Sequence, residues 1–221
     1  IRLFSVVAGL FSVNKMMTGL YTRHYCKVIE DNNSLNRYFS LIGGNDPISY
    51  YLGKNDRLPA YLQDRNIYFE YNIFGDKVPS LGDNGFFYWR EKILKADLDH
   101  YYPMDCAVDL INSGENKFIR LNFPAIWHRT ANNLISFLIK RYKYARDLYS
   151  ERTNRRWKMV DTTHDKWMLL WFIVSTLTVI PCLFISIRGM LKVRDPAWFW
   201  HWPVCVGFLI TYGLLVCRNL I

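Results

Sequence analysis

Trp167 to Ile187 reads WMLLWFIVSTLTVIPCLFISI, 21 residues without Asp, Glu, Lys, Arg or His. A helix rises about 1.5 Å per residue, so a run of this length covers a hydrocarbon core of roughly 30 Å, and the stretch predicts a membrane span. Its start is marked by Asp161, Thr162, Thr163 and Asp165. Thr162 followed three residues later by Asp165 resembles a capping box, in which side-chain oxygens satisfy the first backbone N–H groups. Lys166 and Trp167 are then expected at headgroup depth. Pro181 removes one backbone donor late in the run and predicts a kink, tolerable if Thr178 or a neighbouring helix satisfies the freed carbonyl.

A second run of the same length, Ala197 to Cys217 (AWFWHWPVCVGFLITYGLLVC), is opened by Asp195-Pro196, an acidic cap followed by proline at the first helical position. Trp167, Trp171, Trp198, Trp200 and Trp202 suit an aromatic belt at the membrane surface. The nine residues Arg188 to Pro196 suffice for a tight connection, so residues 161–221 are expected to form a two-helix transmembrane hairpin with both ends on one side. Arg152, Arg155, Arg156, Lys158 and Lys166 before the hairpin outnumber Arg188, Lys192 and Arg194 within it, which places the N-terminal region on the inside face.

Immediately upstream, residues 125–160 carry a helical period. Leu134, Leu138, Tyr142, Ala145 and Tyr149 recur at helical spacing, with Lys140, Arg141, Lys143 and Arg146 largely on other faces. This predicts a basic amphipathic helix lying on anionic headgroups or packed on protein. Much of the formal charge of +9 arises between Arg120 and Lys166, with eleven Lys and Arg against four acids. Lys140, Arg141, Arg155 and Arg156 are the candidate contacts for a phospholipid headgroup such as cardiolipin. Nucleic acid is not needed to explain this charge.

Residues 30–124 show no long period. Gly43-Gly44, Asp46-Pro47, Leu58-Pro59, Val78-Pro79 and Tyr102-Pro103 punctuate them. A short helix within Phe87 to Leu98 and strands within Asn66 to Phe74 and Phe118 to Phe123 are the regular pieces expected. The rest, rich in Tyr, Phe and Asn, reads as an irregular extramembrane region draped over partner subunits, the alternative being a small aromatic core. Residues 1–29 contain Arg2, Lys15, Arg23 and Lys27 and no acid, similar to a mitochondrial presequence. They are expected to form an amphipathic helix, or else a third membrane helix from Leu3 to Tyr21 at the cost of burying Asn14 and Lys15.

No glycine-rich phosphate loop, zinc-protease motif, nucleophile elbow or paired-cysteine site occurs. Cys26, Cys106, Cys182, Cys205 and Cys217 have no disulfide-framework spacing and read as packing residues. Among five dispersed histidines, only His201 has a second His or Cys at helical ligand spacing, Cys205 four residues on. In a first helical turn between Trp200 and Trp202, His201 is expected at the interface, where His201→Phe would be nearly silent; its alternative is a haem ligand or quinone contact. Asp97, Asp99 and His100 read as a polar helix end, and Asn32-Asn33-Ser34 is a formal glycosylation sequon.

These readings describe a mainly α membrane protein with no catalytic residues. The expected role is a non-catalytic accessory subunit of a mitochondrial inner-membrane complex, either respiratory chain or ATP synthase, scaffolding core subunits and lipid with its N-terminal region on the matrix side. An oxidoreductase anchor that binds haem or quinone through His201, and an endoplasmic-reticulum hairpin protein, are the alternatives.

Overall fold

The computed structural model describes residues 2–13, 16–17, 19–25, 33–55, 68–73, 78–80, 86–96, 102–127 and 130–220. Within them the chain is mainly helical, and a four-stranded sheet joins the two expected strand segments to residues of the N-terminal segment and of the start of the expected short helix. Strands β1 (Gly19–Tyr25), β2 (Tyr68–Asn72), β3 (Phe86–Tyr88) and β4 (Lys117–Trp127) lie in the order β2-β4-β1-β3. β4 pairs antiparallel with β2 and parallel with β1, whose other edge takes β3 antiparallel. Side chains alternate across a strand, so Ile119 and Leu121 share one face and Phe118 takes the other.

Helix α1 (Arg2–Val13) covers the first face, where Val7 and Met17 pack with Leu20, Ile119 and Leu121. The predicted amphipathic helix is thus present, but docked on the chain's own sheet. The alternative membrane helix from Leu3 to Tyr21 is overturned, because the helix stops at Val13 and Gly19 already belongs to β1. Gly19 is required there, since a Cβ would sit 2.9 Å from the Phe87 carbonyl oxygen. The opposite face is covered by α5 (Pro103–Asn112), whose Ala107 and Ile111 meet Phe118, Ile73, Val78 and Trp157. A single helical turn, α4 (Arg90–Ile93), is what remains of the helix expected within Phe87 to Leu98.

Two short helices in this region were not anticipated. α2 (Ser34–Ile42) is capped by Asn33, whose side chain accepts from the Leu35 and Asn36 N–H groups, and ends at Gly43 with φ 72°. α3 (Pro47–Leu52) is capped by Asp46, opens on Pro47 and ends at Gly53 with φ 67°. Glycine favours both ends because the left-handed region penalises a Cβ. Neither helix joins the sheet. Leu35, Tyr38, Phe39, Ile48 and Tyr51 pack instead into one core with Phe172, Cys182, Trp198, Val204, Cys205 and Phe208. The described residues of this region therefore pack within the chain, in the manner of the small aromatic core held as the alternative.

Helix α6 (Leu134–Ser150) follows the predicted period and buries Phe137 and Ala145. The segment leading into it is tied to α2, where the buried side-chain Oδ1 of Asn36 accepts from the Thr130 and Ala131 N–H groups. The predicted first span is two helices, α7 (Thr163–Thr178) and α8 (Ile180–Val193), meeting at 92°. The corner is Val179, with φ 65°, and Pro181 lies in the first turn of α8. The kink expected at Pro181 is thus a sharp corner at Val179, and by length and composition the pair together is a broken span or a re-entrant loop. At about 24 Å and 21 Å, neither helix alone covers a roughly 30 Å core.

The second run behaves as expected. A 3₁₀ turn (Pro196–Trp200), capped by the Asp195 side chain, leads into α9 (His201–Leu220). Among the described residues Pro196–Arg218 is the one helical stretch long and apolar enough to cross a membrane unbent.

Candidate functional site

The corner between α7 and α8 leaves carbonyl groups without helical donors, and side chains supply them. The Cys182 thiol donates to the Ser175 carbonyl oxygen at 3.3 Å, and the Trp202 indole N–H to that of Thr176 at 3.1 Å. Cys182 thus lies under the corner, and the first turns of α9 bring His201 and Cys205 against it from the other side.

His201 is completely buried. Its Nδ1 lies 2.8 Å from the Tyr38 hydroxyl of α2, and its Nε2 lies 3.3 Å from the Tyr51 hydroxyl of α3 and 3.9 Å from Cys205 Sγ. Tyr51 Oη is also 3.5 Å from Cys182 Sγ. The ligand atoms of Cys182, His201 and Cys205 all lie within 4.8 Å of one another, and all three residues are buried. Burial pushes the Tyr38 and Tyr51 hydroxyls well above their ordinary value, so both stay protonated and retain a hydrogen to donate.

This arrangement corrects the expectation that the His201 ring reaches water or headgroups, because it is completely buried within the protein. An imidazole here is enclosed by α2, α3 and α9 rather than wetted by headgroups. Both ring nitrogens face tyrosine hydroxyls. The i, i+4 pairing of His201 with Cys205 was legible in the sequence. Cys182, Tyr38 and Tyr51 were not, because 19, 163 and 150 positions separate them from His201 in the chain. The tryptophans expected in a belt also divide. Trp198 is buried, and the Trp200 indole donates to Ser34 Oγ at 2.8 Å, whereas Trp167 and Trp171 are exposed.

The proposed headgroup residues separate in the same way. Arg155 is buried against Asp105 at 2.8 Å, Arg156 pairs with Asp109 at 2.7 Å, and Arg141 reaches Asp46 at 3.5 Å; Lys140 is exposed. Three of the four are committed to internal carboxylates. Asp46 also accepts from the Tyr212 hydroxyl at 3.0 Å. Burial raises its carboxyl above the ordinary range against the opposing pull of Arg141.

One more buried pair fastens the helical part together. Lys54 Nζ donates to Asp165 Oδ2 at 2.7 Å and to the Met159 carbonyl oxygen at 3.0 Å. Burial works to raise the Asp165 carboxyl. The Lys54 ammonium and the Asp161 and Thr162 N–H groups outweigh it and hold the carboxyl down at about 2. The capping box predicted for Thr162 and Asp165 is present. Asp97, Asp99, His100 and the Asn32 sequon lie outside the described residues. No protein-family model, curated protein or solved structure matches this chain.

Proposed function

We propose that this chain is a non-catalytic accessory subunit of a mitochondrial inner-membrane complex, held in the bilayer by α7, α8 and α9. The observation that carries the reading is the inverted polarity of these helices. Ser175, Thr176, Ser186, His201 and Thr211 are buried, whereas Trp167, Leu177, Ile180, Phe184, Leu191 and Leu214 are exposed. A helix bundle in water places large apolar side chains inside; in lipid, small and polar residues mediate contact while large apolar ones face the acyl chains. The apolar window of α9 is only 33% buried, unlike the core helix of a water-soluble protein.

α6 adds to this reading. Leu138 abuts Gly207, and the Tyr142 hydroxyl accepts from Arg218 at 3.4 Å, so α6 runs along the C-terminal half of α9. Its Lys140, Lys143 and Arg146 are exposed there, where long basic side chains reach anionic headgroups. The mitochondrial inner membrane is proposed from the basic, acid-free first 29 residues, and the matrix as the side of the N-terminal region from the basic approach to α7.

Fractionation of cells expressing the tagged full chain, followed by alkaline carbonate and native electrophoresis with mass spectrometry, tests the reading. Retention in the mitochondrial pellet and migration within a larger assembly are expected. Release by carbonate would sink the bilayer assignment, and migration as a free monomer in mild detergent would sink the subunit assignment.

A further inference from the structure

We propose that Cys182, Cys205 and His201, with Tyr51 as the fourth donor, form a zinc-binding site that fastens the α7–α8 corner to α9 and α3. This goes beyond the accessory-subunit reading and does not depend on it. Two cysteine sulfurs and an imidazole nitrogen are donors that structural zinc takes, and the neutral Tyr51 hydroxyl, a weaker oxygen donor, completes the set.

Their spacing suits one small ion. The separations of 3.3 Å (His201 Nε2 to Tyr51 Oη), 3.5 Å (Tyr51 Oη to Cys182 Sγ) and 3.9 Å (His201 Nε2 to Cys205 Sγ) are three of the six edges of the donor set, and the Cys182, His201 and Cys205 ligand atoms all lie within 4.8 Å of one another. A regular tetrahedron with edges near those three has its centre about 2.2 Å from each corner, within the bond lengths of about 2.0–2.3 Å that zinc makes to nitrogen, oxygen and sulfur, and binding draws the remaining edges to that size. The donors come from three elements, α3, α8 and α9, so one ion holds all three.

Charge also selects the ion. Two thiolates and a divalent cation sum to zero when His201 and Tyr51 are neutral, and a neutral cluster suits a site whose residues are all buried. A monovalent soft ion would leave a net negative charge with no nearby cation among the site's own residues. Binding forms two zinc–sulfur bonds and releases both thiol protons to solvent, with no electron transferred. Ligation through Nε2 requires the hydrogen on Nδ1, and Tyr38 Oη at 2.8 Å accepts it. That contact orients the ring as outer-shell partners of zinc-bound histidines do. The corner compensates in turn: the Ser175 carbonyl gives up its thiol donor, and the zinc–sulfur bond replaces that contact as the tie between the corner and α9.

The test uses the full chain, purified in mild detergent under reducing conditions and loaded with zinc or cobalt(II). About one zinc per chain is expected by elemental analysis, and the cobalt form should show thiolate-to-cobalt charge-transfer absorption with tetrahedral d–d bands. Cys182→Ser and Cys205→Ser should each remove about half of the charge-transfer intensity and weaken zinc binding at least about a hundredfold, while Cys217→Ser at the exposed cysteine changes neither. Tyr38→Phe keeps every ligand and the shape of the core, and should weaken zinc binding about 10- to 100-fold. Wild-type chain without stoichiometric zinc or thiolate-to-cobalt absorption would overturn the proposal without reference to any variant. So would a Cys182–Cys205 disulfide detected by mass spectrometry in the freshly isolated protein.

Discussion

Lys54 and Asp165 each expose only 4% of their side chains and meet at 2.7 Å. Removing one partner of such a pair strands the other charge in the interior, so Lys54→Met should destabilise the fold by about 3 kcal/mol, read as a lowered unfolding midpoint in detergent. Asp165 titrates below its ordinary value of 3.8, at about 2 in the folded chain. Its contribution is fully present above pH 4 and is lost as pH falls towards 2, amounting to about 2 kcal/mol. Asp165→Asn should flatten that limb of the stability–pH curve, and an unchanged limb would assign acid sensitivity to another group. The capping role of Asp165 was legible three residues from Thr162, whereas Lys54 is 111 residues away and no local pattern points to it. His201→Phe, silent if the ring were at an interface, leaves the buried Tyr38 and Tyr51 hydroxyls without their partner. The expected loss is about 3 kcal/mol, measured in the same unfolding experiment.

At the scale of single elements, the corner at Val179 is the feature that hydropathy reading misses. An unbroken apolar run carries no signal for a 92° turn, and Pro181 is equally compatible with a kinked helix and with the first turn of a new one. A β-branched residue at φ 65° is strained, so Val179→Gly should raise stability by about 1 kcal/mol if the corner is preserved. Gly189 marks the other tight contact of α8, because a Cβ there would lie 2.3 Å from the Trp198 ring. Gly189→Ala should cost about 2 kcal/mol and alter the near-ultraviolet circular dichroism of the tryptophans. For α2 and α3 the signals were present as punctuation. Asn33, Gly43, Asp46-Pro47 and Gly53 bound two helices too short for periodicity to register, and the same residues read as loop markers when the helices between them are overlooked. β2 and β4 were legible from β-branched and aromatic content, but the pairing of β4 with β2 on one side and with β1 on the other is non-local and was not.

For the molecule as a whole, the question is what solvates the outer faces of α7, α8 and α9. Leu177 is 68% exposed. In water Leu177→Arg would be nearly neutral; in hydrocarbon it costs a few kcal/mol and should reduce the carbonate-resistant fraction of the full chain severalfold. The aromatic composition that suggested draping over neighbours is spent largely on an internal core, so partner contacts are expected on these apolar exteriors and on the basic face of α6. That division was not readable from composition, because an aromatic residue in a core and one at an interface look the same in a sequence.

The helical body is discontinuous along the polypeptide: residues 33–55 belong to it, yet their partners on α7 to α9 come only after the whole sheet has been made. Tyr38 waits for His201, 163 residues later, roughly ten to thirty seconds at ribosomal speeds of about 5–20 residues per second. During that interval α2 and α3 are sticky, unsheltered segments. A nascent chain stalled before residue 201 should therefore be held by chaperones and degraded quickly, whereas one stalled after α9 has emerged should persist.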